Sequence, residues 1–300
     1  MDRLDDMQHF VRVAEMASFT KAADSLGMPK ASISISVQRL ETQMGARLLH
    51  RTTRKVSLTQ DGVTFYERCK DLLADMDELS TLFLQTEANL SGRIRVDMPV
   101  AIAKNIVCPA LADFIASHPD IEVQLSSTDR RVDMIQEGFD CVVRVGNLTD
   151  SELIARPLGT LRIINCVSPA YIQQYGEPTH IEQLSEHRLV HYVQNIGSKS
   201  AGWEYHDGKS YRCIDMPGAV TVNNSEAYTA ACLAGLGIIQ VPAVGVKNLL
   251  SLGQLLEVLT NYTAESMPVS LLYPNRRNLS KRVQVFMDWL TLLIKDYAQG

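Results

Sequence analysis

Arg47, His50, Arg51, Arg54 and Lys55 crowd one short segment, and Glu41 is the only acid between Lys30 and Gln60. Cationic side chains at that density neutralise phosphates and release condensed counterions, so the chemistry they suit is binding to a nucleic-acid backbone. Just ahead of them, Lys30, Ser34, Ile35, Gln38 and Arg39 share the outward face of a predicted helix. Mostly short, polar side chains on such a face fit a major groove and reach base edges there. The plainer reading of the same pattern is a helical hairpin with a solvated basic rim.

Such residues need a frame, and the stretch from Ser18 to Gly62 supplies one. Ser18 suits a helix N-cap, Phe19 to Leu26 a short helix, and Gly27 the left-handed turn that ends it. Met28-Pro29 stops that helix and starts another, because proline is tolerated at a helix start and not inside one. From Lys30 to about Thr42 the inward face is Ile33, Val37 and Leu40. Ahead of this pair, Leu4, Met7, Phe10, Val11 and Ala14 predict a first helix that covers its apolar side. Val56, Leu58 and Thr59 predict a short strand, Gln60-Asp61-Gly62 a turn, and a longer helix starts near Val63.

In that longer helix Phe65, Leu72 and Leu79 repeat every seven residues, with Cys69, Met76 and Phe83 between them. Alternation of four and three is the seam of a coiled coil, so these six are the expected dimer contacts. A dimer supplies the two-fold symmetry with which helix-turn-helix proteins read paired half-sites about 34 Å apart. A helix packed on its own domain is the competing reading.

The 300 residues suggest about two domains, and the 46% hydrophobic content is ample for buried cores. Net charge is −5, yet residues 1–58 hold nine basic against six acidic side chains. An acidic chain with a basic head suits a DNA-binding module joined to a domain of another kind. Six cysteines (Cys69, Cys108, Cys141, Cys166, Cys213, Cys232) are dispersed without metal-ligand spacing and read as reduced, buried thiols. No metal or other cofactor is expected. Met1-Asp2-Arg3-Leu4-Asp5-Asp6 lacks the apolar core of a signal peptide, and no run approaches about 20 apolar residues. The expectation is a soluble cytoplasmic protein with no membrane partner.

After Asn89-Leu90-Ser91-Gly92 the pattern changes to short apolar strands alternating with amphipathic helices. Ile94–Met98, Ile121–Ser126 and Cys141–Val145 read as strands; Ile106–Ala116 and Val132–Gly138 read as helices. Arg162–Val167, Ala219–Val222, Gly237–Val241 and Pro268–Tyr273 read as further strands, before a closing helix over Lys281–Tyr297. That helix is expected to turn Val285, Trp289, Leu292 and Leu293 inward. The alternation predicts an α/β domain with a parallel sheet. An enzyme is the second function class, but Gly-x-Ser-x-Gly, His-Glu-x-x-His and phosphate-loop patterns are absent. Gly235-Leu236-Gly237 is too short for a dinucleotide fingerprint. A solute-binding or enzymatic α/β protein using an accessory helix-turn-helix for protein contacts is the alternative.

Phe19-Thr20-Lys21-Ala22-Ala23, Ser32-Ile33-Ser34, Leu48-Leu49-His50-Arg51-Thr52-Thr53-Arg54 and Leu58-Thr59-Gln60-Asp61-Gly62 resemble the N-terminal signature of LysR-type transcriptional regulators. Phe139-Asp140-Cys141-Val142-Val143-Arg144-Val145-Gly146 and Gly235-Leu236-Gly237-Ile238 are similar to the effector domain of that family, so the resemblance covers essentially the whole chain. It implies an N-terminal all-α winged helix-turn-helix (1–62), a long dimerising linker helix (63–92) and a two-lobed α/β effector domain resembling periplasmic binding proteins (93–300). Lobe one is placed at 93–164 and 269–300, lobe two at 165–268. The implied partners are promoter DNA, a small-molecule effector, a second copy of the chain in dimers that associate into tetramers, and RNA polymerase for an activator. The implied function is transcription regulation, not catalysis.

The resemblance carries base contacts onto Lys30, Ala31, Ser34 and Ile35, and wing contacts onto Arg54 and Lys55. Thr20 and Lys21 suit phosphate contacts at a helix start, and Arg39 and Arg51 complete the expected DNA surface. Many members have a long polar residue where this chain has Ile35, which can only pack, for instance on a thymine methyl. The expected effector site lies between the lobes. There Ser127, Thr128, Asn223 and Asn224 are expected to orient a polar ligand beside Val100 and Ala101. Arg144 pairs there either with a ligand carboxylate or with a structural partner. Members often have Ser or Thr where Val100-Ala101-Ile102 stands, so the effector is expected to be less acidic or partly aromatic.

Overall fold

The computed structural model describes residues 3–51, 56–81, 90–134, 136–148, 153–274 and 279–299, which form two compact units. One unit spans Met1–Arg93 with Asp120–Glu122; the other holds the remainder. The first opens with three helices, α1 (Arg3–Met16), α2 (Phe19–Leu26) and α3 (Lys30–Met44). The Ser18 hydroxyl caps α2 by accepting from the Lys21 N–H, and Gly27 closes it at φ 63° with its N–H on the Ala23 and Asp24 carbonyls. Pro29, in extended backbone, precedes α3. Phe10, Val13, Ala22, Ile33, Val37 and Leu40 are fully or almost fully buried in one core. Large apolar side chains buried to that degree each contribute roughly 1.5–3 kcal/mol relative to exposure.

Strands β1 (Leu49–Arg51) and β2 (Val56–Leu58) pair antiparallel, Leu49 opposite Leu58 and Arg51 opposite Val56. Gln60-Asp61-Gly62 is not a turn: it is the first turn of α4 (Gln60–Thr81). Thr59 is the reason, because its hydroxyl accepts from the Gly62 N–H and caps the helix where the strand ends. Gly62 is required by close approach, since a Cβ there would lie 1.9 Å from the Leu48 carbonyl oxygen.

In the second unit, β3 (Gly92–Met98), β4 (Ile121–Ser127), β5 (Cys141–Val145), β6 (Leu153–Leu161) and the late strand β14 (Met267–Pro274) form one sheet in the order β4-β3-β5-β14-β6. Between β3 and β4, α5 (Val100–Ile102) passes through a π-helical stretch at Ala103–Val107 into α6 (Cys108–Ser117). This continuous run is apolar enough over 18 residues to span a membrane by length and composition alone, contrary to the sequence expectation. Its Phe114 ring instead packs on Phe286 and Trp289 of the closing helix.

The same unit also carries β7 (Ile163–Val167), α7 (Pro169–Tyr175), β8 (His191–Tyr192), β9 (Trp203–His206), β10 (Tyr211–Ile214), β11 (Thr221–Val222), α8 (Ser225–Leu233), β12 (Ile239–Pro242), α9 (Ala243–Ser251) and β13 (Leu256–Glu257), with β7 at the centre of a separate sheet, β12-β7-β13. Helix α10 (Lys281–Gln299) closes the chain.

Three expectations change here. The sheets are mixed, not parallel: β3 and β5 run parallel, but β14 is antiparallel to β5 and β6, and β7 is antiparallel to β12 and β13. Alternation of elements does not encode the direction in which a returning strand crosses. Within 132–138 the structure has turns at 134 and 136–138 and no helix among the described residues, position 135 lying outside them. Asp133 caps the Gln136 N–H and the Glu137 carboxylate takes the Asp133 N–H, so side chains satisfy the backbone without a helix. Leu292 is 69% exposed, and the buried face of α10 is Val283, Phe286, Met287, Leu290 and Ile294. That stripe keeps helical spacing but is phased differently from the expected one.

Candidate nucleic-acid interface and effector cleft

Lys30 and Ala31 start α3 fully on its outside, and Ile35, one turn on, is 60% exposed. Ser34 is half-buried between them. Thr20 and Lys21 are exposed in the first turn of α2. The helix face therefore presents an ammonium group, small side chains and one apolar branch. Arg51 ends β1, while Arg54 and Lys55 lie outside the described residues. Arg39 departs from expectation: its guanidinium turns to the carboxylate of Asp6, 3.0 Å away and buried, and so ties α3 to α1. Sequence spacing put Arg39 on the outer face, but a long side chain reaches around a helix to satisfy a buried charge. Two more polar contacts hold this frame. His9 Nδ1 meets Ser36 Oγ at 3.0 Å in the core. Glu41, the lone acid, accepts from the Leu48 and Leu49 N–H groups at the root of the wing.

On α4 the expected seam divides. Phe65 packs against Phe10 with ring centroids 5.5 Å apart, and Cys69 is buried in the core of its own unit. Burial pushes that thiol up to about 12. The first heptad thus packs on the three-helix core of its own unit. Leu72 and Met76 are exposed on the single chain. Leu79 lies on the helix, and Phe83 lies outside the described residues.

In the α/β unit, the Asp97 carboxylate at the end of β3 is fully buried. Ser126 donates to it at 2.7 Å, Thr128 at 3.2 Å, and the Arg144 guanidinium lies 2.8 Å away. Thr128 and Arg144, expected as ligand contacts, both meet this internal anion, and through Nη1 Arg144 takes the structural partner left open above. Asn224 is the N-cap of α8, its side-chain oxygen accepting from the Glu226 and Ala227 N–H groups. Ser127 and Asn223 are exposed, and Val100 and Ala101 are half-buried at the start of α5.

Asp129 lies in the segment expected at the ligand site, 126–129, but the sequence assigned it no role there. Its carboxylate accepts from the Val100 N–H at 3.0 Å and from the Ser225 N–H, at the start of α8, at 2.6 Å. Lys104 forms an ion pair with Glu226 beside it. The one sequence signal was position: Asp129 follows a strand end with no helix or turn of its own to cap.

Among the described residues no group of histidine, cysteine or acidic side chains could hold a metal ion. Cys108 and Cys213 are exposed, contrary to a wholly buried thiol set, while burial pushes the Cys166 and Cys232 thiols up to about 12.

A helix-turn-helix with a β-hairpin wing, a long following helix and an α/β ligand domain define a ligand-responsive regulator of transcription. Residues 4–63 match the bacterial regulatory helix-turn-helix protein model of the lysR family, and residues 87–292 match the LysR substrate binding domain. The chain belongs to the LysR family of DNA-binding transcriptional regulators and carries that family's effector-binding domain. It is 46% identical to the HTH-type transcriptional regulator YhjC of Escherichia coli (strain K12), over 99% of each chain. With an HTH-type transcriptional repressor of Pseudomonas aeruginosa (strain UCBPP-PA14) it shares 36% identity over 99% of this chain and 93% of that one. Among solved structures, CrgA, a LysR-type regulator from Neisseria meningitidis, superposes with a TM-score of 0.62 at 29% identity, covering 97% of this chain and 98% of CrgA. The protein is a regulator and not an enzyme.

Proposed function

We propose that the protein reads promoter DNA as a dimer, with α3 in the major groove, and that a small molecule held between the two lobes modulates that binding. Lys30 supplies the polar base contact and Ile35 an apolar one, with Ala31 and Ser34 lining the approach. Thr20, Lys21, Arg51, Arg54 and Lys55 meet phosphates. The observation that carries this reading is the outward face of α3, where Lys30, Ala31 and Ile35 stand exposed, followed by exposed Arg47 and, in the first strand of the wing, exposed His50. The apolar positions of α4 beyond its first heptad, Leu72 foremost, join two chains so that two recognition helices face two-fold related half-sites. A cytoplasmic location belongs to the same reading, as does contact with RNA polymerase if the protein activates.

The test is a gel shift on the DNA upstream of the protein's own gene. Lys30→Ala combined with Arg54→Ala is expected to abolish binding at moderate salt while light scattering still reports a dimer. Retained binding by the double variant would show that the DNA surface lies elsewhere.

A further inference from the structure

Two helices of the α/β unit point their N-termini at one carboxylate that belongs to the chain itself. The Val100 N–H opens α5 in lobe one, and the Ser225 N–H opens α8 in lobe two; both donate to Asp129. Free N–H groups and the aligned peptide dipoles make a helix start a natural acceptor of anions. In a two-lobed ligand domain, a site with donors from both lobes is the place where a ligand carboxylate would draw them together. Here that place already holds an anion. The surroundings agree: the Ser225 hydroxyl is buried at the same point without a hydrogen-bond partner. Tyr192 lies close enough that Asp129 adds to the effect of burial in raising its phenol. Lys104 and Glu226 form an exposed ion pair beside it, so the charge of each is offset by the other.

We propose that Asp129 is a resident anion that clasps the two lobes and sets effector specificity: the cleft takes a neutral or cationic small molecule and rejects a carboxylate at the α8 N-terminus. This deepens the effector reading above and rests on it. A carboxylate ligand would have to displace Asp129 or sit beside it, and two carboxylates sharing one pair of N–H groups repel each other.

Full-length wild type, Asp129→Ala and Asp129→Asn are melted in sodium acetate, and in acetamide and sodium chloride at matched concentration and ionic strength. Removing the carboxylate leaves two helix N-termini and a gap the size of acetate. Acetate is therefore expected to raise the Asp129→Ala midpoint, by about 2–4 °C at roughly five times its dissociation constant. Wild type is expected to respond to acetate no more than to sodium chloride. An equal acetate shift on both proteins, or no acetate-specific shift on Asp129→Ala, overturns the proposal.

If Asp129→Ala does not fold, Asp129→Asn carries the test. Its amide keeps the size but offers one acceptor oxygen to two donors, so its midpoint is expected below that of wild type; an unchanged midpoint overturns the clasp. Melting needs neither operator nor effector. Failure of the clasp with DNA binding intact is thus distinct from failure of the regulator reading, which a parallel gel shift of wild type reports.

Discussion

Arg144 holds the fully buried carboxylate of Asp97 at 2.8 Å, and that pair closes the end of the lobe-one sheet. Ser126 and Thr128 complete the shell around the same carboxylate. Removing one partner of a buried pair leaves an uncompensated charge, which costs about 3–5 kcal/mol. Arg144→Ala is accordingly expected to lower the stability of the α/β unit by that order in urea titrations. Adding Asp97→Asn should recover part of the loss. Wild-type stability in the single variant would return Arg144 to the list of ligand contacts.

Ile35 governs base preference. With a 60% exposed branched side chain and no hydrogen-bonding group, its contribution to recognition is packing. Ile35→Ala is expected to weaken binding to the preferred site by about 1 kcal/mol, roughly fivefold, and to leave binding to random DNA unchanged. Competition gel shifts separate the two. Equal losses on both sequences would make Ile35 a structural residue.

Leu72 and Cys69 should part company although they lie on one seam. Leu72 is 43% exposed, whereas Cys69 is 2% exposed within its own core. Leu72→Glu is expected to yield monomers by light scattering. Cys69→Ala is expected to keep the dimer and lower stability by about 1 kcal/mol, read in thermal melts. Monomers from Cys69→Ala and dimers from Leu72→Glu would invert the assignment.

Gly62 tolerates no side chain. A Cβ 1.9 Å from the Leu48 carbonyl must move either the start of α4 or the root of the wing. Gly62→Ala is expected to destabilise the N-terminal unit by about 3 kcal/mol or more, visible in circular-dichroism melts and as lost DNA binding.

His187 makes the second lobe sensitive to acid. It is almost fully buried, and burial lowers its pKa below the usual imidazole range, partly offset by Glu186. The Tyr171 hydroxyl accepts from the Arg188 N–H, which leaves its own proton for His187 Nδ1, 2.9 Å away. That assignment of the proton follows from the network and keeps the imidazole neutral. Below pH about 6.5 the unfolded chain binds a proton that the folded one resists. The contribution of His187 is therefore complete above that pH and is lost as pH falls below it. His187→Gln is expected to flatten the decline in melting temperature between pH 7.5 and 5.5. An unchanged slope would place the acid sensitivity elsewhere.

The local sequence determined the DNA-reading frame. Ser18, Gly27 and Pro29 set helix ends within a few residues of themselves, and Ile33, Val37 and Leu40 set the buried face of α3 by spacing alone. Caps, turns and periodicity are short-range physics, so they survive translation into a linear text. The family signature also lies in contiguous segments.

The tertiary structure alone decided which polar groups remain for partners. Thr128, Arg144, Asn224 and Arg39 all looked available, and each is held by a side chain or backbone group that the fold brings to it. Asp129 and Ser225 meet although they stand 96 positions apart. The strand directions and the phase of α10 were settled in the same way, by packing against distant elements. Spacing reports which face a residue occupies; only packing reports whether its hydrogen bonds are already taken.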